Sequence, residues 1–263
     1  RMDPTRLFDA LPLGALFGVT AGVIFLALEG GYRLGRYRRQ RAEAESEAPV
    51  GAMVAATLGL LAFMLAFTFG LAASRFDARR QVVLDEANAI GTTYLRAGLL
   101  PEPQRTELRD LLREYTDVRL EGVKRATVDV AIAKSAELHG RLWALAAATA
   151  EKDPRSIVTG LFIQSLNEVI DLHSKRVMYG LHSRIPGPIW AGLYFVAILA
   201  MAEMGYHEGL TSTKRSPAVL ALVLTFSAVM LLIADIDRPQ EGMLKVSLQA
   251  LIDLRSTLTA PGS

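Results

Sequence analysis

The hydrophobic positions of this chain are concentrated in four long runs, and polar residues are segregated between them. The longest run covers residues 50–74, which are 25 positions without an ionisable side chain. A helix of this length, rising about 1.5 Å per residue, spans a hydrocarbon core of about 30 Å with some tilt. The chain becomes polar at Arg75, Asp77, Arg79 and Arg80, with no Gly or Pro to end the helix. The pattern predicts one continuous helix that leaves the membrane and continues into water.

Three further apolar runs complete a predicted set of four transmembrane helices. The first span is expected at about 11–29, and the third and fourth lie within 188–236. In the first span Gly14, Gly18 and Gly22 recur at every fourth position, a spacing that lets membrane helices approach each other closely. Glycines that a membrane helix merely tolerates would give the same pattern, so both interpretations stay open.

Residues 75–187 form a long insertion whose apolar positions recur with a helical period. Proline-containing breaks at 99–103 and 152–154 divide it into three predicted helices. The second is expected to begin at Glu107 and to continue through Trp143, and the third to cover 157–177. No alternating β-branched run predicts a strand. The fold class is therefore an all-α integral membrane protein, with four transmembrane helices and a large helical extramembrane domain between the second and the third.

The C-terminal residues 237–263 are predicted to form an amphipathic tail, with one helix from Met243 to Leu258. The orientation of the chain stays undecided. Five arginines in 31–49, against two in the leader, favour a cytoplasmic position for that segment. Arginines at both edges of the 75–187 insertion favour the opposite orientation.

Composition and motifs narrow the classes of function. A net charge of +2, from 29 basic and 27 acidic residues, gives no case for nucleic-acid binding. There is no cysteine, and the four histidines are isolated in the sequence, so no cysteine-ligated metal site is possible and no metal site or cofactor is predicted. No Walker loop, GxSxG or HExxH motif occurs, and we predict that the protein is not an enzyme. Membrane lipid is the expected surrounding.

Two motifs resemble those of a known family. The run ASRFDARR at 73–80 continues as DEANAIGT and TYLR along the same predicted helix, and Asp237, Pro239 and Gly242 form an Asp-x-Pro-x-x-Gly turn after the last span. Both resemble the bacterial bestrophin-like family and, more distantly, the bestrophin ion channels. The resemblance extends over nearly the whole chain, including the order of the spans and the position of the insertion.

The resemblance implies a homopentameric ion channel of the bacterial inner (plasma) membrane, with five copies of the second helix around a pore that passes small inorganic ions, favouring anions. An apolar neck is implied at Phe63 and Phe67, with Gly59 one turn earlier. A charged motif at the helix exit comprises Arg75, Phe76, Asp77, Arg79 and Arg80. The acidic cluster that follows the turn in calcium-activated bestrophins is replaced by MLKVS, which argues against calcium gating through that cluster.

Each of these features has a plainer alternative. Phe63 and Phe67 could serve helix packing or contact lipid, and the charged motif could form salt bridges instead of a vestibule. Glu203, near the end of the third span, is expected at the membrane interface. The whole protein could instead be a non-conducting membrane scaffold or stress-response protein that binds a partner through its helical extramembrane domain.

Overall fold

The computed structural model describes residues 11–41, 47–122, 127–211, 217–238 and 242–260. Its regular structure is helical throughout these ranges, as the sequence predicts, and no strand occurs in them. In chain order the helices are α1 (Leu13–Gln40), α2 (Glu47–Ala97), α3 (Gln104–Glu121), α4 (Val128–Lys152), α5 (Ile157–Val177), α6 (Gly187–Thr211), α7 (Pro217–Asp237) and α8 (Gln249–Thr259), with a π-helical turn at Met178–His182 after α5.

Four of these helices, α1, α2, α6 and α7, are long and apolar enough to cross a membrane. This confirms the predicted class of an all-α membrane protein with four transmembrane helices. The second of them, α2, is a single helix of 51 residues, and it passes the polar residues at 75–80 without a break. The helix α6 continues to Thr211 and includes His207.

The described residues divide into two compact units. The membrane unit comprises those of Arg1–Ser74 and Arg184–Leu244, and the extramembrane unit comprises those of Arg75–Ser183 and Lys245–Ser263. We describe each unit by itself.

Backbone contact between α1 and α6 holds the membrane unit together. A Cβ atom added to Gly31 would lie 1.9 Å from the carbonyl oxygen of Ala202, and one added to Gly205 would lie 2.0 Å from that of Leu28. Gly35 and Gly209 are equally confined, because added Cβ atoms would lie 2.2 Å and 2.5 Å from backbone oxygens of the opposite helix. Two glycine pairs at i, i+4, one on each helix, therefore let the backbones touch.

The glycines that the sequence singled out do not make this contact. Added Cβ atoms at Gly14, Gly18 and Gly22 would meet nothing within 4 Å. Both sets of glycines recur at every fourth position, but only Gly31 and Gly35, nearer the end of α1, contact the backbone of α6. Nearer the N-terminal ends of these two helices, the hydroxyls of Thr20 and Tyr194 form a hydrogen bond of 2.8 Å, which adds a polar contact between α1 and α6.

The extramembrane unit is a helical bundle with a continuous apolar core. Its largest fully buried side chains come from α2, the segment that follows it, α3, α4 and α5, namely Ile90, Tyr94, Leu100, Leu108, Leu112, Tyr115, Leu138, Leu142, Phe162 and Leu166. The predicted helix from Glu107 through Trp143 is two helices, α3 and α4. Trp143 is 44% exposed, because the buried face of α4 contains Leu138, Leu142 and Ala146 instead.

The C-terminal helix packs into this core through Leu251 and Leu258. It begins at Gln249, so the predicted start at Met243 is wrong. The N–H groups of Met243 and Leu244 donate to the carboxylate of Asp235, at 2.8 Å and 3.2 Å, instead of serving a helix. At the C-terminal end of α8, the carbonyl oxygen of Leu258 accepts a hydrogen bond from Nε of Arg113 at 2.8 Å.

We expect Gly31→Ala to destabilise the membrane unit by about 1–3 kcal/mol, because the new methyl group would force α1 and α6 apart. The measurement is the unfolding midpoint of the detergent-solubilised protein. The control, Gly18→Ala, adds the same methyl group to the same helix where nothing lies within 4 Å. Equal midpoints for the two variants would contradict the role given to the glycine contact.

Candidate functional site

The two phenylalanines of the predicted neck lie on an open face of α2. Phe63 is 67% exposed and Phe67 is 59% exposed, and their ring centroids are 6.5 Å apart with an angle of 18° between the ring planes. Leu61, Leu65 and Thr68 point instead into the membrane unit and are buried. The described residues therefore leave the two rings open to lipid or to another chain.

The exposed positions around these rings form a regular stripe. Spacings of three and four residues connect Ala56, Leu60, Phe63, Phe67, Gly70 and Ser74, all of them exposed. Leu60, at 50% exposure, supplies a bulky side chain next to Gly59, which is exposed and has open space above it. Both residues are therefore exposed, and the role given to Gly59 by the family resemblance stays a prediction.

The remaining exposed positions of this part of α2 include many small side chains. They are Ala52, Ala55, Gly59, Ala62 and Ala66. Small residues beside a stripe of large ones allow membrane helices to approach each other while the large side chains point in one common direction. This arrangement suits several copies of α2 around one axis.

The charged motif at the helix exit is divided between exposed and buried positions. Asp77 and Arg80 are exposed, Arg79 is buried at 5% exposure, and Arg75 and Phe76 are half-buried. The vestibule interpretation is therefore restricted to Asp77 and Arg80 as surface charges.

Two buried carboxylates, those of Asp235 and Asp237, lie at the end of α7. Asp237 accepts a hydrogen bond from the backbone N–H of Ile185 at 3.0 Å and lies 3.6 Å from Nη1 of Arg184. Asp235, which sequence reasoning missed, binds the backbone N–H groups after the turn. A Cβ at Gly242 would lie 2.5 Å from Oδ1 of Asp235, so this close approach needs glycine. Pro239 lies outside the described residues.

A buried polar cluster occupies the core of the extramembrane unit. The carboxylate of Glu86 on α2 accepts hydrogen bonds from Nε of Arg119 at 2.8 Å and from the hydroxyl of Tyr115 at 3.0 Å. Its second oxygen pairs with Nη1 of Arg176 on α5. Three helices thus contribute to one ion cluster whose central carboxylate is fully buried.

Two histidines complete this cluster, which corrects the prediction that they are isolated. The rings of His139 on α4 and His173 on α5 meet edge to face with centroids 4.9 Å apart, and His139 lies 4.9 Å from the ring of Tyr115. Nε2 of His139 and Nδ1 of His173 are buried and have no hydrogen-bond partner among the described residues. The cluster joins residues from four helices, and no spacing in the sequence signals it.

The surroundings of the two imidazoles favour their neutral forms. Burial, with a contribution from the positive charge of Arg119, lowers the pKa of His139 to about 4 and that of His173 to about 4. Burial and the Glu86 carboxylate raise the pKa of Tyr115 well above its ordinary value. In the described part of the chain, no group of three or more His, Cys, Asp or Glu side chains is arranged to hold a metal ion.

The four apolar helices and the helical bundle define a multi-pass α-helical membrane protein. A family model described as the Bestrophin-like domain matches residues 21–251, so the chain belongs to the Bestrophin-like family, and the resemblance is confirmed. A solved structure described as that of a membrane protein is similar in fold, with a TM-score of 0.64 and 14% identity, over 94% of this chain and 97% of that one. No curated protein matches the chain.

We expect the extramembrane unit to lose stability as the pH falls from about 6.5 to about 4. In this window the histidines of the unfolded chain bind protons while the buried pair stays neutral. The loss is at most about 1.4 kcal/mol per pH unit for each histidine, and less where water reaches the ring. The measurement is the melting temperature between pH 7.5 and pH 4.5.

The matched variants are His139→Leu with His173→Leu, which should flatten this pH dependence, and His207→Leu, a histidine of the membrane unit, which should leave it unchanged. If the double variant kept the full acid sensitivity, other groups would be responsible for it.

Proposed function

We propose that this protein is a homo-oligomeric, pentameric ion channel whose pore is lined by α2, with an apolar neck at Phe63 and Phe67. The supporting observation is the exposure of these two rings on a face of α2 that the described residues leave uncovered. Membership of the Bestrophin-like family supports the same function. Conduction through this neck would require no catalytic residues, and we propose passive permeation in the bacterial inner membrane.

The neck is suited to gating by dewetting. A ring of apolar side chains excludes water when it is narrow and admits water when it widens slightly. Leu60 lies three residues before Phe63 on the exposed stripe, so three successive apolar layers, at Leu60, Phe63 and Phe67, would line the constriction. We include Leu60 in the proposed neck and place Gly59 beside it, facing the neighbouring helix.

Small anions are the proposed permeant ions. Residues 75–80 contain three arginines and one aspartate, so the segment has an excess of positive charge although Arg79 is buried. Arg80 is exposed at this exit, and Asp77 opposes it. The neck itself has no charge, so the preference for anions would depend on this segment.

A second candidate function is a membrane scaffold that acts by protein binding. Apolar side chains are strongly exposed on the extramembrane unit, among them Leu95 at 69%, Val130 at 70% and Ile157 at 78%. Arg96 donates to the carbonyl oxygen of Leu161 at 2.7 Å, which brings the end of α2 beside the start of α5. Exposed apolar side chains of this kind suit contact with another copy of the chain or with a different protein.

The native mass of the protein in mild detergent distinguishes the two functions. We expect a mass of five protomers, because a water-filled lumen needs several copies of α2 around an axis. A monomer or a dimer would eliminate the central pore and favour the scaffold.

For the neck, we expect Phe63→Ala with Phe67→Ala to raise the single-channel conductance or the open probability several-fold, because smaller side chains leave a wider and wetter constriction. Currents across planar bilayers provide the measurement. Phe69→Ala is the matched control, since Phe69 lies on α2 but off the stripe and is 38% exposed. An equal effect of Phe69→Ala, or none of the double variant, would argue against a neck at these positions.

For selectivity, we expect Arg80→Gln to lower the anion-to-cation permeability ratio and Asp77→Asn to raise it. The reversal potential in a KCl gradient should shift in opposite directions for the two variants, and the shifts should diminish at high salt. Lys152→Gln, an exposed lysine at the end of α4, serves as the control. Reversal potentials that match the wild type in both variants would eliminate this segment as the source of selectivity.

A further inference from the structure

The last part of α1 contains a dense run of arginines. Residues 33–41 include five arginines and no acidic residue. All five arginines are exposed, and the helix continues through this segment as far as Gln40. The proposed pore uses none of them, so this positive surface of the membrane unit needs an explanation of its own.

The arginine segment lies where α1 leaves the hydrocarbon core. Glu29 is the first ionisable residue of the helix, and eleven more residues follow it up to Gln40. At about 1.5 Å per residue they extend about 16 Å, whereas the headgroup layer of one leaflet is about 5–8 Å thick. The first arginines therefore lie among the lipid headgroups, and the later ones lie just outside them.

The arginine side chains point back toward the membrane. In a helix the Cα–Cβ bonds tilt toward the N-terminus, and on α1 this direction leads to the hydrocarbon core. Two contacts show the tilt. Arg33 reaches back four residues to Glu29 at 2.7 Å, and the guanidinium of Arg41 lies over the ring of Tyr37, 4.4 Å from its centroid. An arginine that begins outside the headgroups can therefore still reach them.

Two of the five arginines have guanidinium groups available for a partner. Arg33 and Arg41 make the contacts just described, and Arg38 also interacts within the chain. The side chains of Arg36 and Arg39 are exposed and form no hydrogen bond or ion pair with another described residue. They are three positions apart and hence neighbours on the helix surface. Two adjacent positive charges at a membrane surface favour an anionic partner.

We propose that Arg36 and Arg39 bind the phosphate groups of anionic phospholipids in the leaflet where α1 ends. A guanidinium donates two parallel N–H groups to a phosphate, and each basic residue near a negatively charged leaflet adds to the attraction. Phosphatidylglycerol has a phosphate and a net negative charge. Phosphatidylethanolamine has the same phosphate, but its ammonium group neutralises the headgroup and repels the arginines. The two lipids therefore separate the contribution of the net charge from that of the phosphate and the acyl chains.

The experiment is native mass spectrometry of the detergent-solubilised protein, titrated with each of the two lipids carrying identical acyl chains. We expect the wild type to bind phosphatidylglycerol about tenfold more tightly at low salt, and the difference to diminish at high salt. Arg36→Gln with Arg39→Gln should remove most of this preference. Because both side chains are exposed, this double variant should keep the melting temperature of the wild type.

Lys152→Gln with Arg155→Gln is the matched control, since it removes the same charge from two exposed positions of the extramembrane unit. It should keep the preference for phosphatidylglycerol. An equal loss in the two double variants would show that only the net charge of the protein matters, and would overturn the assignment to α1.

Inorganic phosphate at the concentration of the lipid tests the source of the phosphate. It should not displace phosphatidylglycerol, because it has no acyl chains to hold it at the surface, and displacement would contradict a lipid site. Equal affinity of the wild type for the two lipids would overturn the proposal and leave the glutamates at 43, 45 and 47 as the countercharges of the segment. None of these results depends on whether the protein conducts ions.

Discussion

The buried carboxylate of Glu86 is the interaction on which the extramembrane unit depends. An ionised carboxylate in a protein core costs several kcal/mol unless charges and hydrogen bonds compensate it. Here Arg119 and Arg176 supply the charges and Tyr115 a hydroxyl. Because these groups come from α2, α3 and α5, a shift of any one helix would leave a charge buried without its partner. The cluster therefore fixes the arrangement of the helices, while the apolar core around it supplies most of the driving force.

The sequence predicts the helices well and their contacts poorly. Long apolar runs and a 3.6-residue period depend on local composition, so the four spans and the uninterrupted α2 could be recognised. Contacts depend on which faces meet. Gly14, Gly18 and Gly22 have the same regular spacing as Gly31 and Gly35, yet only the latter two meet α6. The break between α3 and α4 was missed because the apolar pattern continues across it.

In the candidate site, too, some residues could be identified from the sequence and others only from the structure. Phe63 and Phe67 were identified by family resemblance, and their exposure agrees with a role outside the packing of this chain. Leu60 enters the proposed neck only because the structure places it on the exposed face of the helix. The Glu86 cluster was invisible in the sequence, because its histidines are 34 positions apart and belong to different helices. Tertiary structure alone brings them within contact.

The faces of α2 support the proposed assembly of several copies of the chain. In the extramembrane part, one face of α2 contains Glu86, whose buried carboxylate pairs with Arg119 and Arg176. In the membrane part, the large side chains of Leu60, Phe63 and Phe67 are left exposed by the described residues, and small residues such as Ala62 and Ala66 accompany them. A surface facing only lipid has no need of this separation of large and small side chains. Helices that surround an axis do need this separation. The small residues determine how closely neighbouring helices approach, and the large side chains determine the width of the space along the axis.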